Sequence, residues 1–115
     1  MKILLFLGLL APLAASAQKT EADIRCKYTG ADYVYDCVIR LSRGGKPLAG
    51  VQMTACADMP SMPMAHNIKP VKAKPGAQPG EYHARLELEM KGEWAIKLRL
   101  SGAVRDQVVT KVRFD

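Results

Sequence analysis

Apolar and polar residues alternate with a period of two along nearly all of the chain beyond residue 18, the pattern of half-buried strands. Ile24 to Tyr28 and Tyr33 to Leu41 read as a hairpin turning at Thr29-Gly30-Ala31-Asp32. In its second strand Tyr33, Tyr35, Cys37, Ile39 and Leu41 share a face, with Asp36 and Arg40 opposite. Val51, Met53 and Ala55 alternate with Gln52 and Thr54. Ile68 to Lys74 reads as a short edge strand, because Pro70 and Pro75 cannot donate to a central ladder. The cleanest alternation sets Tyr82, Ala84, Leu86, Leu88 and Met90 inward against His83, Arg85, Glu87 and Glu89. Lys91-Gly92 turns that strand into Trp94, Ile96, Leu98 and Leu100, and Val104 to Phe114 supplies the last strand. In that strand Asp106, Val108, Thr110, Val112 and Phe114 share a face. Residues 42–47 and 74–80 are rich in turn formers, and no stretch has a helical period. Six or seven short strands at about ten-residue spacing predict an all-β fold, an immunoglobulin-like antiparallel β-sandwich, with a small closed barrel as the alternative.

One stretch breaks the alternation. Asp58-Met59-Pro60-Ser61-Met62-Pro63-Met64-Ala65-His66-Asn67 packs three methionines, two prolines and a histidine into ten residues. Proline removes a backbone donor and restricts the residue before it, so neither a helix nor a central strand fits, and an extended, stiff loop is expected. Alternate side chains of an extended chain share a face, which lines up Met62, Met64 and His66 with Met59 a short bend away. Thioethers with one imidazole form a soft donor set that favours Cu(I) over Mg, Ca or Mn. Met59, Met62, Met64 and His66 are therefore the candidate metal ligands, with Cys56 in reserve, and Cu(II) could engage His66 with nitrogen and oxygen donors. The plainer reading is a flexible gap-filler at the mouth of a sandwich, a use methionine often has.

The first 17 residues change the setting. Met1-Lys2 is a short basic start, Ile3 to Leu10 is apolar but for Gly8, and Ala15-Ser16-Ala17 is a small-residue cleavage site. Residues 1–17 thus read as a secretory signal peptide, too short for a retained anchor. Residues 18–115 then form a single β-sandwich domain in an exported, periplasmic protein. Cleavage after Ala17 leaves 98 residues at a net charge of about +5. The basic residues are scattered and lack interleaved aromatics, so a nucleic-acid partner is excluded in favour of a solvated charged surface.

Export makes a disulfide reasonable. The two strands of the first hairpin carry Cys26 and Cys37, which makes them the favoured pair across it and leaves Cys56 over. A buried small hydrophobe is the expected role of Cys56, with a fourth soft ligand or an intermolecular thiol as the alternatives.

No serine or cysteine sits in a nucleophile context, and neither histidine has an evident carboxylate partner in the sequence, so the chain is not expected to be an enzyme. His83 reads as a surface histidine, Glu87 and Glu89 as solvated charges, and Trp94 as a core anchor.

The run Met59-Pro60-Ser61-Met62-Pro63-Met64, then Pro79-Gly80-Glu81-Tyr82, then Leu86 to Trp94 with its Met-x-Gly-x-Trp hairpin, resembles the YtkA-like/FixH-like domain family over residues 47–101. The resemblance implies an immunoglobulin-like fold and an association with copper handling outside the cytoplasm, in efflux or in cuproenzyme assembly. It carries Met59, Met62 and Met64 over as functional positions and Trp94 as a structural one. The expectation is a periplasmic copper-binding protein, a Cu(I) chaperone or copper-resistance accessory whose partners are the copper ion and a periplasmic or membrane copper-handling protein. The rival is a non-metal interaction module that uses the methionine loop as an adaptable apolar contact.

Overall fold

The structure is a computed structural model that describes residues 18–115; the expected signal peptide, residues 1–17, lies outside them. Nine antiparallel strands form two sheets. They are β1 (Thr20–Tyr28), β2 (Val34–Arg43), β3 (Lys46–Pro47), β4 (Val51–Asp58), β5 (Asn67–Lys72), β6 (Lys74–Pro75), β7 (Glu81–Glu87), β8 (Gly92–Gly102) and β9 (Asp106–Phe114). One sheet runs β1-β2-β7-β6 with β3 added to β2; the other runs β5-β4-β8-β9. Lettered in the immunoglobulin manner these are A-B-E-D and C′-C-F-G, so the expected fold is present. The count differs from six or seven only because β3 and β6 are two-residue pairings that no periodicity could reveal.

Burial follows the alternation. Tyr35, Cys37, Ile39 and Leu41 of β2 face Met53, Ala55 and Ala57 of β4 and Trp94, Ile96, Leu98 and Leu100 of β8 in one core. Every second residue of β7 joins them, from Tyr82 to Leu86, and Leu88 follows just beyond the strand. Non-directional burial of apolar area on the two inner faces is what holds the sheets together. Tyr82 adds a polar tether, its hydroxyl donating to the Leu48 carbonyl at 3.0 Å. Gly80 lets the β6–β7 turn lie against β2, since a Cβ there would sit 2.9 Å from the Leu41 carbonyl oxygen.

Prolines shape one edge. β5 is an edge strand, as expected, and carries one extra residue opposite Cys56 where Pro70 cannot serve the ladder. At Ala73 the chain leaves that sheet, its amide donating to the Met53 carbonyl, and it enters the other sheet as β6. Tyr33 departs from its expected strand position. It sits in the β1–β2 turn at φ +63°, and the buried series starts at Tyr35.

Candidate functional site

The strand directions bring three connections to one end of the sandwich. They are the β1–β2 turn, the β4–β5 loop with the methionines, and the β7–β8 turn. The β7–β8 turn lies between the other two. Leu88 donates its amide to the Tyr33 carbonyl at 2.8 Å on one side, and Glu89 reaches the methionine loop on the other.

The loop is not the extended segment expected from its prolines. It curls through two consecutive turns. The Met62 amide donates to the Met59 carbonyl at 2.9 Å, and the Ala65 and His66 amides both donate to the Met62 carbonyl at 3.2 and 3.0 Å. Pro60 and Pro63 each occupy the second position of a turn, where a fixed φ is an advantage. The Met59 amide then donates to the His66 carbonyl at 3.1 Å and shuts the loop at its root, and the Asn67 side-chain amide donates to the Pro63 carbonyl inside it. The two prolines per loop drive compaction here because turn hydrogen bonds are available within the same eight residues.

This geometry divides the candidate ligands. Met59 continues the inward alternation of β4 and is only 5% exposed, with its terminal methyl against Gly92 of β8. Met62 is 40% exposed and Met64 93%. His66 is half-buried at the loop's return, and its Nδ1 lies 3.0 Å from Glu89 Oε1. The absence of a carboxylate partner for histidine, read from the sequence, is thus corrected for His66. The two residues are 23 positions apart and meet only because the loop and the β7–β8 turn share one end of the fold. Glu89 is likewise more than a solvated charge. His83 stays on the exposed face of β7, with Glu81 3.7 Å from its Nε2.

Cys26 and Cys37 form the expected disulfide across the β1–β2 register. Cys56 is a free thiol on the outward face of β4 and is half-buried, so the expected buried position is corrected: the strand's alternation sends Ala55 and Ala57 inward and Cys56 out. Beside it on that sheet Lys97 Nζ lies 2.7 Å from Asp58 Oδ2, a pairing that holds the Lys97 ammonium above its usual range. Among the described residues no three His, Cys, Asp or Glu side chains gather as a metal-binding group, so a metal site on this loop has to be built largely from thioethers.

A family described as YtkA-like matches residues 17–99, which extends the region of resemblance back through the first hairpin. No curated protein and no solved structure matches the chain. With its two-sheet sandwich and its methionine-proline loop inside the matched span, the chain belongs to the YtkA-like family.

Proposed function

We propose that this protein is a periplasmic copper-binding protein, a Cu(I) chaperone or copper-resistance accessory, and that copper is its cargo. The observation that carries the reading is how the chain distributes methionine. Met53 and Met59 are buried and Met90 is packed partly against the core, as gap-filling methionines are, whereas Met62 and Met64 project from a loop that is closed on itself by hydrogen bonds. Exposed thioethers on a short hydrogen-bonded loop, with an imidazole at its end, are the donors that soft Cu(I) prefers. Met62, Met64 and His66 are the primary ligands in this reading. Met59, the fourth of the expected set, is screened from solvent by its own burial and joins only when the loop opens; Cys56 stays in reserve. Ligands on an exposed loop allow exchange with a partner's ligands one at a time, which suits delivery better than storage. The protein acts by binding and has no catalytic step in this reading.

The second reading, a non-metal interaction module, has its own support. Tyr28, Tyr33, Met62 and Met64 are exposed large hydrophobic side chains, and all four lie at the same end of the sandwich. Such a cluster also suits an adaptable protein contact.

A Cu(I) competition titration of residues 18–115 with the disulfide intact, read together with X-ray absorption at the copper edge, decides between them. One copper per chain, with sulfur scattering lost in Met62→Ala/Met64→Ala, is the expected result. Failure to compete with even a weak chelator would overturn the copper reading in favour of the contact surface.

A further inference from the structure

The His66–Glu89 pair does more than join the methionine loop to the β7–β8 turn. We infer that Glu89 is the positioning residue of this site: it holds the neutral His66 ring as the Nδ1–H tautomer, so that Nε2 is the nitrogen presented to a ligand. What that nitrogen binds rests on the copper reading; which nitrogen it is does not.

A carboxylate can only accept, so a hydrogen bond of 3.0 Å between Glu89 Oε1 and His66 Nδ1 requires the proton on Nδ1. The lone pair then sits on Nε2. In water the neutral imidazole favours the opposite tautomer, so the arrangement is imposed by the fold. The backbones of both residues are fixed. The His66 amide donates to Met62 and its carbonyl accepts from Met59. The neighbours of Glu89 are pinned on both sides, Leu88 through its amide to Tyr33 and Met90 through its carbonyl, which accepts from Trp94 Nε1 at 3.0 Å. Trp94 is completely buried, so the turn that aims Glu89 is anchored in the core. The pair also spans the two sheets, with His66 leading into β5 of one and Glu89 just beyond β7 of the other. A histidine that binds a metal commonly donates its other ring N–H to a carboxylate in this way, which orients the ring and raises the basicity of the ligating nitrogen.

The test begins without metal. Long-range nitrogen–proton NMR spectra of histidine-labelled protein at a pH of about 8, where an ordinary imidazole is neutral, should show His66 protonated at Nδ1. The exposed His83 serves as the internal reference. In Glu89→Ala the His66 spectrum should change to the Nε2–H form, while Glu89→Gln, whose amide oxygen still accepts, should keep the Nδ1–H form. Unchanged melting of both variants checks that the fold is intact. With Cu(I) added, Glu89→Ala should bind about 10- to 100-fold more weakly, with methionine sulfur still in the copper shell and part of the loss recovered in Glu89→Gln. An Nε2–H tautomer in the unmodified protein, a tautomer indifferent to Glu89→Ala, or copper bound equally tightly by that variant would each overturn the inference. If the tautomer responds as expected while the unmodified protein binds no copper, the copper reading falls and the hold of Glu89 on the ring stands.

Discussion

The amide of Met59 donates to the carbonyl of His66, and the 3.1 Å bond between them separates a buried methionine from the exposed ones that follow it. Before the bond the chain is strand, and Met59 obeys the strand's inward alternation. After it the two turns point Met62 and Met64 away from the core. One residue type therefore occupies two environments within six positions.

That division predicts opposite consequences of one substitution. Met59→Ala removes a buried side chain and should destabilise the fold by about 2–5 kcal/mol. Met62→Ala and Met64→Ala remove exposed side chains and should stay within about 0.5 kcal/mol of the parent. Denaturant midpoints measure all three. Equal, small effects would mean that Met59 is no more part of the core than its neighbours.

Gly92 tests the same packing from the other side. It adopts φ +130°, and a Cβ there would lie 2.9 Å from the Met59 terminal methyl. Gly92→Ala should cost about 1–3 kcal/mol through backbone strain together with that contact. Because the methyl ends a flexible side chain, the contact part should disappear when Met59 is also alanine. The double variant should then be more stable than the two single costs added together predict, by about 0.5 kcal/mol or more. Strict additivity would assign the whole cost of Gly92→Ala to the backbone.

The long strands and the core were legible in the sequence because sheet burial writes itself into every second residue. Trp94, Ile96, Leu98 and Leu100 needed nothing more than their spacing. The hairpin was legible but its register was not, since a turn confined to residues 29–32 would set Cys26 opposite Tyr35, and the Cys26–Cys37 pairing needs Tyr33 and Val34 beyond the β1 ladder as well. The methionine loop departs from its sequence pattern for a specific physical reason. The residue before a proline avoids the helical region, which argued for extension, but a proline also suits the second position of a turn, and the local hydrogen bonds decided between the two. Glu89 was hidden for a different reason. Its distance from His66 along the chain exceeds any local pattern, and only the strand directions reveal that the two connections meet. Cys56 was legible in principle, since alternation from Val51 through Ala55 already sent it outward.

The disulfide secures an edge. Among the described residues β1 hydrogen-bonds only to β2 within its sheet, and Cys26 on β1 is bridged to the buried Cys37 directly opposite. Closing so short a loop of chain should contribute about 2–3 kcal/mol. Cys26→Ala/Cys37→Ala should lose that amount in denaturant unfolding and become indifferent to reductant, while the parent loses a similar amount only when reduced. Amide exchange should quicken first in β1. Uniform quickening across both sheets would show that the bridge supports the whole sandwich rather than its edge.

The outer face of the same sheet supplies a pH-dependent contribution. Asp36 and Arg85 are directly opposed on β2 and β7, and the guanidinium meets the carboxylate with two bonds, Nε to Oδ1 at 2.8 Å and Nη2 to Oδ2 at 3.1 Å. That hydrogen-bonded pairing, ahead of the plain attraction between the charges, holds the Asp36 carboxyl below its usual 3.8. A carboxyl lowered on folding stabilises the protein above its unfolded value, and the contribution is lost as the pH falls through the lowered folded value. Asp36→Asn should therefore be less stable than the parent at pH 7, by the small margin typical of a solvent-exposed pair. The two unfolding curves should converge as the pH falls through that lowered folded value, where the parent's carboxyl is also protonated. Asp106, held low chiefly by the Gln107 amide, remains in both proteins and accounts for acid sensitivity that they share. A gap between the curves that persists unchanged into acid would show that the asparagine acts through packing rather than through the lost charge.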